Sequence, residues 1–340
     1  LLDKAAKQVG DSLPLLLTRA QLATRLGGEK GKRALASLTR PPAKLSQNDQ
    51  ARFYQAVGAA WYRLRDREKA KQFWKQAAEI ESQDSRIWLT LFELAREAGD
   101  EDGMTEAADA IKRLLGRRSS EWYYCEASQV VWSVQNEQQD KKALGRAKQL
   151  LDTAAQERPS WHELARLQGE IALIEGSIDE AIDSLQRANE LGPLSPIFKG
   201  ELVRLLYIRG RYDEAQQVMR GLGQKAVSLT MRKLEAELSL RTGDFDRALE
   251  LAAETVENSD RATDFLWYGQ LLARTEKTAE AERAFHKALE LDPTIPEEWL
   301  ARIALLVRSD KKEEAKRVMM DAQTKLPEDR IPLTMAQGYQ

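Results

Sequence analysis

The segment IDEAIDSLQRA, residues 178–188, decides the fold, because copies of it recur along the whole chain. The residues that align with Ala181 are the anchors of this repeat, and eight of the nine are alanine: Ala34, Ala70, Met104, Ala147, Ala181, Ala215, Ala248, Ala281 and Ala315. From Ala147 onward the anchors are 33 or 34 residues apart, and upstream the spacings are 36, 34 and 43. Nine extra residues placed in the polar segment 136–144 explain the longest spacing. A period of this length is typical of repeat proteins.

Residues at fixed distances from each anchor describe two packed helices. In the copy anchored at Ala181, Leu185 and Ala188 follow at four and seven residues, and Gly169 precedes by twelve. Ala181, Leu185 and Ala188 therefore lie on one face of a helix. Because the anchor and the residue twelve before it are both small, two antiparallel helices are expected to approach closely at these positions.

The turn between the two helices carries its own signals. Gly176 is expected to end the first helix, and Ser177 with Glu180 has the spacing of a capping box that begins the second. A proline twelve residues after the anchor, Pro193 in this copy, is expected to end the second helix.

These residues resemble the tetratricopeptide repeat in order and spacing. The match is clearest for the following residues: Phe265, Tyr268, Gly269, Leu272, Ala281, Phe285, Ala288 and Pro293. The resemblance covers nearly the whole chain. It implies an all-α fold, an α–α superhelix of about nine helix-turn-helix repeats, forming one continuous solenoid over residues 1–340.

Partial repeats are expected at both ends of the sequence. Residues 1–6 resemble residues 150–155, which lie at the end of a second helix, so residues 1–8 are interpreted as the tail of a preceding repeat. Residues 331–340 are interpreted as the start of a following repeat. Because each repeat buries its apolar face against a neighbour, this pattern favours an array that continues beyond the sequence.

Composition narrows the class of function. The formal net charge of −2 is too balanced for a protein devoted to wrapping nucleic acid or coating an anionic membrane. No apolar run is long enough for a transmembrane helix. The single cysteine, Cys125, cannot form an internal disulfide, which slightly favours a reducing, cytoplasmic compartment.

The sequence offers no catalytic, cofactor-binding or metal-binding motif. Its two histidines, His162 and His286, lie several repeats apart, and no histidine–cysteine cluster has the spacing of a zinc site. Residues 27–33 lack the glycine and the serine or threonine that a phosphate loop requires. The carboxylates are expected to spread along exposed helix faces, paired within their helices. We therefore expect a protein that is not an enzyme.

The resemblance also locates a candidate partner-binding surface, since in this family the first helices line the concave side. The candidate residues at these positions are Arg204, Tyr207, Lys233, Glu237, Leu266 and Gln270. Seven residues before successive anchors lie Arg241, Arg274 and Arg308, called here the arginine row. The row is interpreted either as cations that stabilise helix C-termini or as a basic surface for an acidic peptide. An apolar groove around Tyr207, Leu240 and Leu266 is the alternative anchor for a partner.

Three functions fit these observations. The first is a scaffold that binds a peptide or partner domain and needs no cofactor or small-molecule substrate. The second is a regulatory or substrate-docking array of an enzyme, such as a glycosyltransferase or kinase, whose catalytic domain lies outside this sequence. The third is an RNA-binding helical repeat, which only the basic segment 30–44 supports, and which lacks a repeated base-reading pair.

Overall fold

A computed structural model describes residues 12–222, 228–257 and 259–331. Within these ranges the chain forms eighteen α-helices and no strand. The helices are α1 Leu13–Leu26, α2 Gly28–Ala36, α3 Gln47–Arg63, α4 Arg67–Ile80, α5 Ser85–Ala98, α6 Glu101–Leu115, α7 Ser120–Gln135, α8 Leu144–Glu157, α9 His162–Glu175, α10 Ile178–Leu191, α11 Pro196–Ile208, α12 Tyr212–Arg220, α13 Leu229–Arg241, α14 Phe245–Val256, α15 Ala262–Arg274, α16 Thr278–Leu291, α17 Pro296–Arg308 and α18 Lys312–Lys325. Consecutive helices pack as nine pairs, which confirms the predicted helical-repeat fold.

The anchor residues explain why the paired helices pack closely. Eight of the nine anchors are buried in the second helix of their pair. In the pair α15–α16, a Cβ atom added to Gly269 would lie 2.5 Å from the Phe285 ring, so the first helix needs glycine where the large residue of the second helix packs. The same relation holds between Gly169 and Leu185, at 2.8 Å.

The anchor assigned to the first pair is wrong. Ala34 is exposed, whereas Gly31, three residues earlier on α2, is buried. A Cβ atom on Gly31 would collide with the carbonyl oxygen of Ala23 on α1. The close approach of the helices therefore centres on Gly31, and the repeat register is shifted in this pair.

The turns follow the sequence signals with one exception. Gly176 takes the left-handed conformation at φ 82°, as a helix-ending glycine should. Ser177, however, makes no side-chain capping hydrogen bond, so the predicted capping box is wrong. Aspartates cap several other second helices, for example Asp66 and Asp244. The extra residues before α8 form a loop with a short 3-10 turn at Lys141–Ala143, where the insertion was predicted.

The chain divides into two compact units, Leu1–Pro193 and Leu194–Gln340. Unit 1 contains the pairs from α1 to α10, and unit 2 contains the pairs from α11 to α18. Each unit has apolar cores between its helices. The expectation of one continuous array stays a prediction. Residues 1–8 and 332–340, assigned to partial repeats, lie outside the described residues.

Candidate functional site

The predicted partner-binding residues all belong to the first helices of unit 2, namely α11, α13, α15 and α17. Most of them are exposed or half-buried, but their surroundings differ. Some are held by neighbouring side chains, and others present charged or polar groups to solvent. The distinction decides which of them remain available to a partner.

Helices α13 and α15 are joined by a polar network that uses Lys233. Its Nζ atom donates to Asp264 Oδ1 at 2.6 Å and lies 5.1 Å from the centre of the Trp267 ring. Asp264 is 1% exposed and also accepts from Ser259. Burial alone would raise the pKa of Asp264, but the hydrogen bonds from Lys233 and Ser259 outweigh it and hold that pKa below its usual value. Lys233 is therefore a structural residue of this face.

Glu237 completes the junction between α13 and α15. Its carboxylate accepts from Trp267 Nε1 at 3.2 Å and from Arg274 Nη1 at 3.0 Å. One member of the arginine row is thus neutralised by a first-helix carboxylate. Neither Lys233 nor Glu237 presents an unsatisfied charge.

The position of the arginine row agrees with the interpretation that its cations stabilise helix C-termini. Arg241, Arg274 and Arg308 are the last residues of α13, α15 and α17. Arg241 is exposed, with its guanidinium 5.8 Å from the Tyr212 ring centre, and a hydrogen bond to Tyr207 raises its pKa. Arg308 is exposed as well. Within the described ranges neither Arg241 nor Arg308 lies within ion-pair distance of a carboxylate.

The four remaining candidates are one paired residue, one exposed residue and two half-buried residues. Arg204 is held by Glu201 through two hydrogen bonds, of 3.0 and 2.5 Å. Gln270 is exposed, and Leu266 is half-buried against the core of its pair. Tyr207 is half-buried against Tyr212, with ring centres 5.4 Å apart.

The predicted apolar groove is wrong at one of its three residues. Leu240 is only 7% exposed and belongs to the core of the pair α13–α14. Among the described residues of the first helices of unit 2, the large apolar side chains that are exposed lie at helix ends: Ile197, Ile208, Leu229 and Val307. Ile197, near the start of α11, is 73% exposed, and Val307, near the end of α17, is 48% exposed.

Unit 1 contains a buried set of charged residues that the sequence analysis did not find. This charge network consists of Glu93 and Arg96 on α5, Tyr124 on α7, and Glu163, Arg166 and Glu170 on α9. Arg166 is 4% exposed and Glu170 is 5% exposed. The expectation that carboxylates are confined to exposed faces is therefore wrong.

Arg166 is the centre of the charge network. Its guanidinium donates to Glu170 at 2.7 Å, to the Tyr124 hydroxyl at 2.5 Å and to Glu163. The Tyr124 hydroxyl in turn donates to Glu93, and Arg96 joins Glu93 at 3.2 Å. The network therefore joins first helices of three consecutive pairs.

Pairing with arginine keeps the Glu93 carboxyl group ionised. Burial alone would raise the pKa of Glu93, but the guanidinium groups of Arg96 and Arg166 outweigh it and hold that pKa below its usual range. Burial itself raises the pKa of Tyr124, so its hydroxyl stays protonated and can donate. The only sequence signal was the E-x-x-R-x-x-x-E spacing of Glu163, Arg166 and Glu170 among apolar residues.

Unit 2 contains one buried carboxyl group without such pairing. Glu298, in the first turn of α17, is fully buried, and neither of its carboxyl oxygens has a hydrogen-bond partner among residues 12–222, 228–257 and 259–331. Burial, with smaller contributions from Asp292 and Glu297, raises the pKa of Glu298 to about 7. The carboxyl group of Glu298 therefore changes its protonation state near neutral pH.

Cys125, His162 and His286 are the remaining side chains with reactive or metal-binding groups. Cys125 is buried, and burial raises the pKa of its thiol well above the usual value. His162 lies beside Glu163 in unit 1, and His286 lies beside Glu290 in unit 2. No group of three or more metal-ligating side chains occurs among residues 12–222, 228–257 and 259–331. None of the helices in these ranges is long and apolar enough to span a membrane.

Comparison with known proteins agrees with the repeat geometry. Residues 143–196 and 233–296 match the family model of the tetratricopeptide repeat. A stretch of 98 residues is 33% identical to the protein O-mannosyl-transferase TMTC2 of Homo sapiens, and the match covers 27% of this chain and 12% of that protein.

Solved structures of low sequence identity are also similar. YrrB, described as a TPR protein with an unusual peptide-binding site, is 20% identical with a TM-score of 0.48, over 58% of this chain and 97% of YrrB. Yeast Tom70 is 15% identical with a TM-score of 0.37, over 99% of this chain and 83% of Tom70. MamA of Desulfovibrio magneticus RS-1 is 19% identical with a TM-score of 0.42, over 48% of this chain and 93% of that structure.

Proposed function

This chain is a tetratricopeptide-repeat protein, and from that premise we propose that it is a scaffold that holds a partner protein on the first helices of unit 2. The partner presents acidic side chains to the arginine row and apolar side chains to the exposed ends of α11 and α17. The chain itself catalyses no reaction in this proposal.

The observation that carries the proposal is the state of Arg241 and Arg308. Each ends a first helix, is exposed, and has no ion-pair partner among the described residues. Arg274, between them in sequence, is already paired with Glu237. Guanidinium groups bind carboxylates through charge-assisted hydrogen bonds, so these two arginines, which lack a carboxylate partner among the described residues, favour an acidic partner. Val307, next to Arg308, adds an apolar contact to the same helix end.

The arginine row provides the test. Changing Arg241, Arg274 and Arg308 together to Gln is expected to weaken capture of the partner from a native lysate severalfold at low salt. The difference should shrink at higher salt, because exposed charges are screened over about 8 Å at physiological ionic strength. The loss of helix-end stabilisation should reach at most about 1–3 kcal/mol, so circular dichroism should still show a folded helical protein.

A charge-matched variant separates the row from general charge effects. Arg220, Arg283 and Arg317 lie on the second helices α12, α16 and α18, and their triple change to Gln should leave capture unaltered. If the arginine-row variant captures the same partners in the same amounts at both salt concentrations, the acidic-partner proposal fails.

A second function has one specific observation in its favour. The partial similarity to the O-mannosyl-transferase TMTC2 favours a repeat array that docks substrates for a glycosyltransferase domain. In that case the captured partners should be glycosylated proteins, and mass spectrometry of the captured material would reveal O-linked mannose. Partners without such sugars would favour the simple scaffold.

A further inference from the structure

The second helices of the first two pairs enclose a cavity on another surface, in unit 1. This groove, of about 260 Å³, lies between α2 and α4, and its wall includes Trp61 of α3. Leu35, Leu38 and Phe73 supply apolar lining, while Lys69 and Gln76 supply polar groups. We call it the α2–α4 groove.

Trp61 stands out in this groove because its indole N–H has no hydrogen-bond partner in the part of the chain that the structure describes. Its side chain is 2% exposed, and Nε1 is buried and unsatisfied. By contrast, Trp88 Nε1 donates to the Ser82 carbonyl oxygen at 3.0 Å and Trp299 Nε1 donates to the Pro293 carbonyl oxygen at 2.8 Å. A buried polar group without a partner is costly, and an indole N–H can only donate. The group that would satisfy Trp61 is therefore an acceptor.

Lys69 places a second donor beside the first. Its Nζ atom lies 4.0 Å from the centre of the Trp61 ring. Among the described residues it forms an ion pair only with Asp66, at 3.6 Å, and its side chain is 48% exposed. A ligand can reach the buried indole N–H only if a lining side chain moves, and Lys69, whose side chain is 48% exposed, has room to do so.

The one charged side chain among the described residues that line the groove is Lys69, so the groove favours an acidic acceptor. Gln76 Oε1 is also buried without a partner among the described residues, and as an acceptor it can take a peptide N–H but not the carboxylate. Stacking of a nucleic-acid base is disfavoured, because stacking requires an open aromatic face and Lys69 covers the buried ring of Trp61.

From these features we infer that the α2–α4 groove binds a short acidic peptide segment of a partner protein. One apolar side chain of the peptide enters between Leu35, Leu38 and Phe73, and an adjacent carboxylate accepts hydrogen bonds from Trp61 and Lys69. This site lies on the second helices of unit 1. It does not depend on the proposed function of the first helices of unit 2.

Two probe peptides that differ only in charge test the inference. The intact chain, labelled with ¹⁵N at tryptophan, is titrated with acetyl-Leu-Asp-amide or acetyl-Leu-Asn-amide while the indole N–H signals are followed by NMR. The Trp61→Phe variant identifies the Trp61 signal by its loss. If that variant does not fold, the exposed substitution Lys69→Gln identifies the signal, because it displaces the resonance of the ring that Lys69 covers.

The Asp peptide is expected to move the Trp61 indole proton downfield and to bind about five- to tenfold more tightly than the Asn peptide, since a charge-assisted hydrogen bond is roughly twice as strong as a neutral one. Lys69→Gln should remove this preference. Lys75→Gln should keep it, because Lys75 lies on the same helix but does not line the groove.

Three results would overturn the inference. The first is a Trp61 signal that does not move with either peptide, and the second is equal binding of both peptides. The third is a Trp61 signal that moves with a short oligouridylate and not with the Asp peptide, which would make the groove a nucleic-acid site.

Discussion

Replacing Arg166 with Met should lower the stability of unit 1 by about 3–5 kcal/mol, the range found when one partner of a buried ion pair is removed. The guanidinium is 4% exposed and neutralises Glu163 and Glu170. Methionine fills much of the same volume but leaves the Glu170 carboxylate buried beside a single remaining guanidinium, that of Arg96. Hydrogen exchange of the intact chain should show lost protection in α5, α7 and α9, which the network joins.

Arg204 provides a matched control for this change. It also pairs with a glutamate three residues earlier on a first helix, Glu201, but its side chain is 51% exposed. Exposed pairs contribute only about 0.2–1 kcal/mol, so Arg204→Met should alter stability little. A loss below about 1 kcal/mol for Arg166→Met would show that the network is not the buried, mutually dependent set described above.

Replacing Glu298 with Gln should stabilise unit 2 at pH 8 and leave it unchanged near pH 4.5. In the folded chain burial raises the pKa of Glu298 to about 7, from an ordinary value of 4.5. Between these two values the folded state retains a proton that the unfolded state has lost, so stability falls as pH rises. Glutamine has no proton to lose. The gain should therefore appear above pH 4.5 and reach about 1–3 kcal/mol above pH 7.

Thermal unfolding at pH 4.5, 6 and 8 measures this effect. Glu297→Gln is the control, because Glu297 is the exposed neighbour on the same turn of α17. It should change stability little at any of the three pH values. An equal gain from Glu298→Gln at pH 4.5 and pH 8 would contradict the raised pKa.

Sequence periodicity was sufficient to predict the helix pairs, because each pair is defined by contacts within about 34 residues. Ala181 and Gly169 mark one close approach of two helices, and small residues twelve apart are visible without a structure. The exception, Ala34, follows the same logic. Ala34 lies 36 residues before the next anchor, which departs from the period of 33 or 34. The close approach of the two helices requires Gly31, three residues earlier.

The polar networks could not be predicted in this way. Arg166 meets Tyr124 across 42 residues, and Arg96 meets Glu170 across 74 residues. Such contacts depend on which faces of three separate first helices turn toward one another. The repeat period does not specify how neighbouring helix pairs are rotated relative to each other. Similarly, Leu240 was placed in a groove because of its position within the repeat, whereas local packing buries it.

The most direct test of the central claim, that a partner is held on the first helices of unit 2, is site-specific photo-crosslinking. A photoreactive amino acid replaces Gln270 on first helix α15 or, for comparison, Gln323 on second helix α18, and both positions are exposed. We expect a reproducible set of crosslinked partners from Gln270 that shrinks when the arginine row is changed to Gln, and no such set from Gln323. Equal crosslinking at both positions, or crosslinking from Gln323 alone, would contradict the claim.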